Sequence, residues 1–511
     1  MRQFEPKMVE RWHIIILLIL VSGINFLYMP AFRITGDAEA IEYVSYRLIK
    51  YGSLSVPEEF AKNHGSRGQT YFENIIRHKW YSKYGIANTF IMTIPLYMEK
   101  VFIGDLQYDS EFRTLFLNLF NILLSIFLFF YIYHLSTLYK NRSWVNTAFS
   151  LSVLYCTYLS YYIRAQSAEL YQILFFTSFF YHSIMVIRYA RPKRIRVFNL
   201  QLNLHLILSL ILLGMCCLIK EIYLLVLPGF LFILLKHLIK RRYNEKIKGI
   251  SCSFSDIAFS LLFVMLLILF IGIINYYKFG SIFESGYGQW ENEFDFSIKN
   301  ILPHFISGLI HPQNSLIINF PIIILSLFGI KKYFYQYRQE ALLIAVTVLP
   351  VYILIFSFGN WAGEFTYGPR YFLFALPVLG LPAIFLTEKI NQFRQKAIRH
   401  IFYIIIILCG IFSAFIHHNT NSLRFFIPYH IRYVELSDVE NLYINKYFDN
   451  VHFGLIAYDL IKFRDDGRKL KFLNDLVLEG EMHPSEIQNI ESQILKKLDP
   501  NFYWFSGKSF S

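Results

Sequence analysis

Residues suited to moving protons and holding phosphates fall at four places in this chain. Gly36-Asp37-Ala38-Glu39-Ala40-Ile41-Glu42 opens a segment that runs helically to Tyr51-Gly52. A carboxylate at a helix start accepts backbone N–H groups and meets the positive end of the dipole. Counting on from Asp37 reaches Ile41, Val44 and Leu48, so this acid shares the apolar side of the helix, while Glu39, Glu42 and Tyr46 point elsewhere. Asp37 is therefore the best acid for proton transfer, with a plain N-cap as the competing use. Arg164 and Glu169 flank a short polar break. Lys220-Glu221 separates two apolar blocks, either as functional charge or as a neutralising pair at a tight turn. In Trp361-Ala362-Gly363-Glu364-Phe365-Thr366-Tyr367-Gly368-Pro369-Arg370-Tyr371, Gly and Pro shape a turn that leaves Arg370 at the head of the next apolar block. A guanidinium there can grip a phosphate bidentately or act as an interfacial anchor.

The elements that hold these residues are set by composition. The chain has 511 residues, 55% hydrophobic and 17% charged, where soluble domains carry about 25% charged. The apolar residues come in blocks near the length of about 20 that crosses a bilayer. The expected fold class is an all-α polytopic membrane protein with about 11 (11–13) transmembrane helices, external juxtamembrane helices and a small C-terminal external domain. The first block, Ile14 to Met29, lacks a small-residue cleavage site and reads as an anchor. Later blocks include Trp144 to Tyr162, Leu316 to Ile330 and Tyr371 to Leu386. Residues 1–416 form the expected membrane domain and 417–511, more polar, the external domain.

The net charge of +13 does not indicate nucleic acid, because the basic residues lie in short runs between apolar blocks. They read instead as cytoplasmic loops: Lys140/Arg142, Arg188 to Arg196, Lys236 to Lys248, Lys331/Lys332/Arg338 and Lys389 to Arg399. With the N-terminus also inside, the crossings before Lys140 must be odd in number. Ile86 to Ile103, interrupted by Asn88, Pro95, Glu99 and Lys100, is then expected to lie in or dip into the outer leaflet. The same parity puts the loop 32–85, the break at 161–169, the loop 278–314 and the turn 359–370 together on the non-cytoplasmic side. Cys156, Cys216, Cys217, Cys252 and Cys409 show neither a disulfide framework nor metal-ligand spacing.

Four stretches carry a resemblance: GDAEAIEY; WYSKYGIANTFIMTIPLY; NYYKFGSIFESGY with GLIHPQNSLIINFP; and GNWAGEFTYGPRYFLFALP. Their order and common side resemble the GT-C superfamily of integral-membrane glycosyltransferases, in the bacterial branch similar to protein O-mannosyltransferases and the aminoarabinose transferase of lipid A. One departure is Tyr84-Gly85-Ile86 after Lys83, where the family often has prolines.

The resemblance implies an inner-membrane enzyme that moves a sugar from a polyprenyl-phosphate donor to a glycan, lipid or protein hydroxyl outside the cytoplasm, with inversion. It implies Asp37 as general base and Glu169 as the second acid, orienting the acceptor or a divalent metal. Arg370, Lys220 and Lys83 are implied as donor-phosphate ligands. Tyr287, Glu364 and Tyr367 are the expected sugar and acceptor contacts, aromatic faces being suited to sugar rings. No cofactor is required, and metal use is left open. The competing classes are a transporter or flippase of lipid-linked sugars, which calls for inverted repeats and mid-span charge, and an O-antigen polymerase or ligase, whose large external loop comes late in the chain.

Overall fold

The structure, a computed structural model, describes residues 8–421 apart from 31–35, 65–69, 109, 111, 140–141, 166, 189–193, 198–199, 244–252, 288–293, 311–315, 360, 362–368 and 393. Glu364, Tyr367 and the expected external domain beyond Asn421 lie outside the described residues.

Helix α1 (Met8–Leu27) leads into the first polar segment, which is not a loop. It contains α2 (Gly36–Tyr51), α3 (Glu58–His64) and three short strands: β1 (Ser55–Val56), β2 (Tyr71–Asn74) and β3 (Lys79–Ser82). They form an antiparallel sheet in the order β1-β3-β2, with Tyr71 opposite Ser82 and Asn74 opposite Lys79. Val44, Val56, Ala61 and Tyr71 make a small core beneath it, with Tyr43 stacked on Phe60. A second hairpin, β4 (Arg194–Val197) with β5 (Leu200–Asn203), follows the basic loop after residue 188. The all-α expectation is corrected to a mostly helical fold with two small sheets. Strands this short do not show a period-two pattern in sequence.

Next in order are α4 (Ile86–Ile103), α5 (Arg113–Thr137), α6 (Ser143–Tyr155), α7 (Leu159–Arg164), α8 (Ala168–Arg188) and α9 (Leu204–Ile219). A 3-10 turn (Glu221–Leu225) opens α10 (Val226–Tyr243), and α11 (Phe254–Phe279), α12 (Ile298–Ile310), α13 (Leu316–Asn319), α14 (Ile322–Gln336) and α15 (Arg338–Ser357) follow. The segment Arg370–Asn391 alternates 3-10 turns with α16 (Leu376–Gly380) and α17 (Leu386–Asn391), and α18 (Lys396–Asn421) ends the described chain.

Eight helical segments among the described residues are long and apolar enough to cross a membrane, with α1 and α9 as shorter apolar helices. Seven of the eleven expected blocks are among these eight, α1 and α9 are shorter, two blocks are broken, and the eighth segment is Ile86–Ile103, expected not to cross. The block from Trp144 becomes α6 and α7, parted where the Thr157 hydroxyl accepts from the Leu159 N–H. The block from Leu316 becomes α13 and α14, parted at Pro321, which has no N–H to continue a helix.

Helix α8 is the most enclosed of the long helices, whereas α11 and α18 show most of their apolar surface to the outside, as lipid-facing helices do. Buried amides tie neighbouring helices together: Asn25 to Ser125 (2.6 Å), Asn118 to the Pro30 carbonyl (2.8 Å) and Asn121 to the Ile163 carbonyl (3.0 Å).

Helix α4 has the length to cross, yet its two ends are tied to the same end of the bundle. Near its start, Asn88 donates to the Ile219 carbonyl at the end of α9 (3.0 Å). Near its finish, Glu99 pairs with Arg113 at the start of α5. Arg113 also holds Glu42 of α2 (2.7 Å), so the residues that interrupt this apolar block clamp α2 and α4 onto the ends of α5 and α9.

At the opposite end, Arg188 closing α8 pairs with Glu340 in the first turn of α15 (2.5 and 2.7 Å) and donates to the Leu138 carbonyl after α5. Three segments expected to share the cytoplasmic side thus meet at one place.

Candidate active site

The four segments that parity assigns to the non-cytoplasmic side converge on a cavity of about 350 Å³. Asp37 from α2, Lys83 and Tyr84 before α4, Glu169 from α8, Lys220 and Glu221 from the break after α9, Tyr287 from the loop after α11, and Arg370 and Tyr371 all line it. Its remaining wall includes apolar residues from the end of α15, among them Val351, Leu354, Ile355 and Phe358.

Asp37 sits in the first turn of α2, but its carboxylate goes to other elements instead of capping. Tyr84 donates its hydroxyl to Oδ1 (2.5 Å), and Arg370 Nη1 donates to Oδ2 (2.9 Å). Arg370 also faces Glu169 Oε1 at 3.9 Å and Tyr371 Oη at 3.3 Å. Among the described residues its buried Nε has no hydrogen-bond partner, so the guanidinium stands between two carboxylates with donor capacity to spare. Lys220 places Nζ 4.1 Å from the centre of the Tyr371 ring, and Lys83 lies 5.5 Å from that of Tyr287.

Local sequence explains these placements. Lys220 is extended (φ −152°, ψ 120°), which ends α9 before the 3-10 turn begins. This abrupt change turns Lys220 toward Arg370 and Tyr371, while Glu221 accepts from Asn275 (2.9 Å). Their reading as a mutually neutralising pair is corrected: the two charges serve different partners. A Cβ at Gly85 would overlap the carbonyl oxygens of Leu218 and Ile219, so only glycine lets the Lys83-Tyr84 turn pack on the end of α9 beside Lys220. Gly286 has φ +74°, and a Cβ there would press on Lys83 and Phe279, so it seats the Tyr287 loop on Lys83.

Burial works to raise Asp37, but the charge of Arg370, the Tyr84 hydroxyl and Lys83 outweigh it and hold the carboxyl below its ordinary value. Burial raises Tyr84, as does the adjacent Asp37 charge, which keeps the phenol protonated as a donor. Lys83 is lowered by burial, against the attraction of Asp37. Burial and then Arg370 bring Lys220 down to about 8.

The site therefore gathers Asp37, Glu169, Lys83, Lys220, Arg370 and Tyr287 into one chamber. It does not include Arg164, which is buried and donates to the Tyr28 carbonyl (2.6 Å). Sequence reading missed Tyr84 as the partner of Asp37, Asn88 as a cavity residue, Gln172 one turn beyond Glu169, and Lys278, which donates to the Tyr84 carbonyl (2.8 Å). The available signals were polar residues inside apolar blocks: Asn88 in Ile86–Ile103 and Gln172 in Ala168–Arg188.

No group of three His, Cys, Asp or Glu side chains among the described residues is placed to hold a metal. Asp37 and Glu169 alone make an incomplete ligand set, and Arg370 already occupies the space between them.

No protein-family model matches the sequence, and no curated protein matches it. Among solved structures, the apo form of the oligosaccharyltransferase of Archaeoglobus fulgidus aligns over 81% of this chain and 56% of its own, with 9% identity and a TM-score of 0.50. The same protein tethered to an acceptor peptide containing the NVT sequon aligns with 10% identity over 81% of this chain and 55% of that one, with a TM-score of 0.48. In complex with an inhibitory peptide and a dolichol-phosphate it aligns with 10% identity over 81% and 56%, with a TM-score of 0.45. This chain thus spans little more than half the length of the enzyme it matches. At this identity the likeness to the apo structure is one of fold alone, shared with an archaeal oligosaccharyltransferase.

Proposed function

We propose that this chain is a membrane glycosyltransferase of the GT-C type, in the bacterial branch named above. It takes a sugar from a polyprenyl-phosphate donor and transfers it, with inversion, to a hydroxyl acceptor at the non-cytoplasmic face of the inner membrane. One observation carries the reading: three cations and two carboxylates from separate segments, Lys83, Lys220, Arg370, Asp37 and Glu169, line a single chamber whose other wall is apolar. A lipid phosphate needs cations for its headgroup and an apolar surface for its chain. The fold shared with an oligosaccharyltransferase supports the class.

In this reading the acceptor oxygen attacks the anomeric carbon while Asp37 removes its proton, and the bond from that carbon to the phosphate oxygen breaks. The departing lipid phosphate gains negative charge, which Arg370 and Lys220 neutralise, with Lys83 as a third cation. Glu169 orients the acceptor, and Tyr287, Glu364 and Tyr367 contact sugar or acceptor. The ion pair between Asp37 and Arg370 gives this sequence an order. A phosphate that draws the guanidinium away removes the charge that most lowers Asp37, so donor binding makes the carboxylate a stronger base. No step is routed through a metal.

The test uses purified protein in liposomes with a labelled polyprenyl-phosphate sugar and a mixture of cell-envelope acceptors. The wild type transfers label, and Asp37→Asn inserts normally but does not. Full transfer by Asp37→Asn rejects the base assignment. Movement of the donor across the bilayer without transfer by the wild type rejects the enzyme reading in favour of a flippase.

A further inference from the structure

The β2–β3 hairpin ends in Ile75-Ile76-Arg77-His78, and its two isoleucines are 80% and 63% exposed. This tip is built, not frayed. Asn74 Oδ1 accepts from the N–H groups of Ile76 and Arg77 (both 3.0 Å), and the His78 N–H returns to the Asn74 carbonyl (2.8 Å). His78 adopts φ +51°, a region that costs a side-chain-bearing residue about 1 kcal/mol or more.

The hairpin is bolted to the end of α11. Asn74 donates to the Tyr277 carbonyl (3.0 Å), the Arg77 guanidinium lies 4.2 Å from the centre of the Tyr277 ring, and Ile76 packs against Gly280. Helix α11 is 26 residues long and shows an apolar surface (Met265, Leu269, Ile273, Tyr276) along its length. The tip thus packs at the end of this helix, beside Tyr277 and Gly280, and Tyr276 and Tyr277 are residues suited to a membrane boundary. Phe283, 89% exposed and also part of the cavity wall, lies in the loop after α11, whose Ile282 packs back against Gly272 of that helix.

We propose that Ile75, Ile76 and Phe283 form a foot inserted in the leaflet where α11 ends, seating the mouth of the charged chamber in lipid. Three features identify the occupant as bilayer. The apolar tip packs at the end of a lipid-facing helix. Arg77, His78 and Lys79 follow it directly and match anionic headgroups. Phe283, in the loop after the same helix, also lines the chamber, so a lipid-linked molecule passes from leaflet to cavity without its chain crossing water. The use of the foot for donor delivery rests on the proposed function; its position in the bilayer does not.

The test places an environment-sensitive fluorophore on Ile75→Cys, Phe283→Cys and, as the aqueous reference, Lys62→Cys on α3, in the full chain reconstituted in phosphatidylcholine liposomes. Cys409, an exposed native thiol, is replaced by serine in all, and the parent without added cysteine sets the background. Labels at 75 and 283 are expected to be quenched several-fold more by lipid brominated near the headgroup, and several-fold less by aqueous iodide, than the label at 62. Equal iodide quenching at 75 and 62 overturns the foot. Shielding from iodide without quenching by brominated lipid also overturns it, because that pattern means a protein partner covers the tip.

A second arm uses the pair Ile75→Asp and Ile76→Asp. It is expected to raise the KM for polyprenyl-phosphate donor several-fold in liposomes and leave kcat unchanged. An unchanged KM with quenching as expected rejects donor delivery alone. An inactive wild type with quenching as expected rejects the transferase reading and leaves the foot standing.

Discussion

Two arginine-centred clusters stand at opposite ends of the bundle, made from similar residues and put to different use. At one end Arg188 is saturated: both Glu340 oxygens and the Leu138 carbonyl accept from it, and the Tyr139 and Tyr337 rings lie 4.6 and 4.9 Å away. At the other, Arg370 makes one short contact to Asp37, stands 3.9 Å from Glu169 and keeps a buried Nε without a partner among the described residues, beside a cavity. A guanidinium with all three nitrogens bonded fixes helices; one held loosely between carboxylates beside a void is ready for another anion. The contrast shows that buried charge by itself does not mark a functional site. Incomplete pairing around space does.

The strongest way to break this contrast is to remove the loosely held pair. Asp37→Asn is expected to cut transfer by about 10²- to 10⁴-fold, the usual span for a lost general base, with thermal stability in detergent little changed. Arg370→Lys follows, at about 10²-fold in kcat, because a single ammonium cannot serve two acceptors in fork geometry. Unchanged kcat would move Arg370 from the reacting phosphate to a structural role.

The saturated cluster is expected to respond the other way. Arg188→Met leaves the buried Glu340 without its cation and lowers stability by about 2 kcal/mol, read as a fall in Tm, with kcat within about two-fold. A large kcat loss with normal Tm would erase the distinction between the clusters.

The smallest expected effect is a pH limb. Lys220, lowered to about 8, is charged below that pH and neutral above it, so the affinity for a lipid phosphate falls as pH rises through about 8. Lys220→Arg keeps its charge and removes the limb, measurable as KM against pH. Folding penalises the charged amine, so this lysine costs stability in full below about pH 8, and the cost falls away as pH rises from about 8 to the ordinary lysine value of 10.5.

Much of this was legible in the chain. Apolar block length gave the membrane-crossing helices, and basic runs grouped Asp37, Glu169, Lys220 and Arg370 on one side, where the structure draws them into one cavity. Other features were hidden for identifiable reasons. Tyr84 read as a departure from a family pattern, and its contact with Asp37 arises only because Gly85 lets the turn settle on α9. Lys220 and Glu221 looked like partners because they are adjacent; one extended residue sends them apart. Glu42 and Glu99 share Arg113, a clamp between residues far apart in sequence.

Read alone, the chain established which segments are apolar enough for hydrocarbon and which acids and cations are available, and it supplied an expectation for which loops share a side. These follow from transfer energies and charge counts, which are local sums over residues. Only the tertiary structure decided the pairings, such as Arg370 between Asp37 and Glu169 while Arg188 is saturated by Glu340. A pairing depends on where helix ends meet within a few ångströms, and that is fixed by packing of the whole bundle, not by any one segment of it.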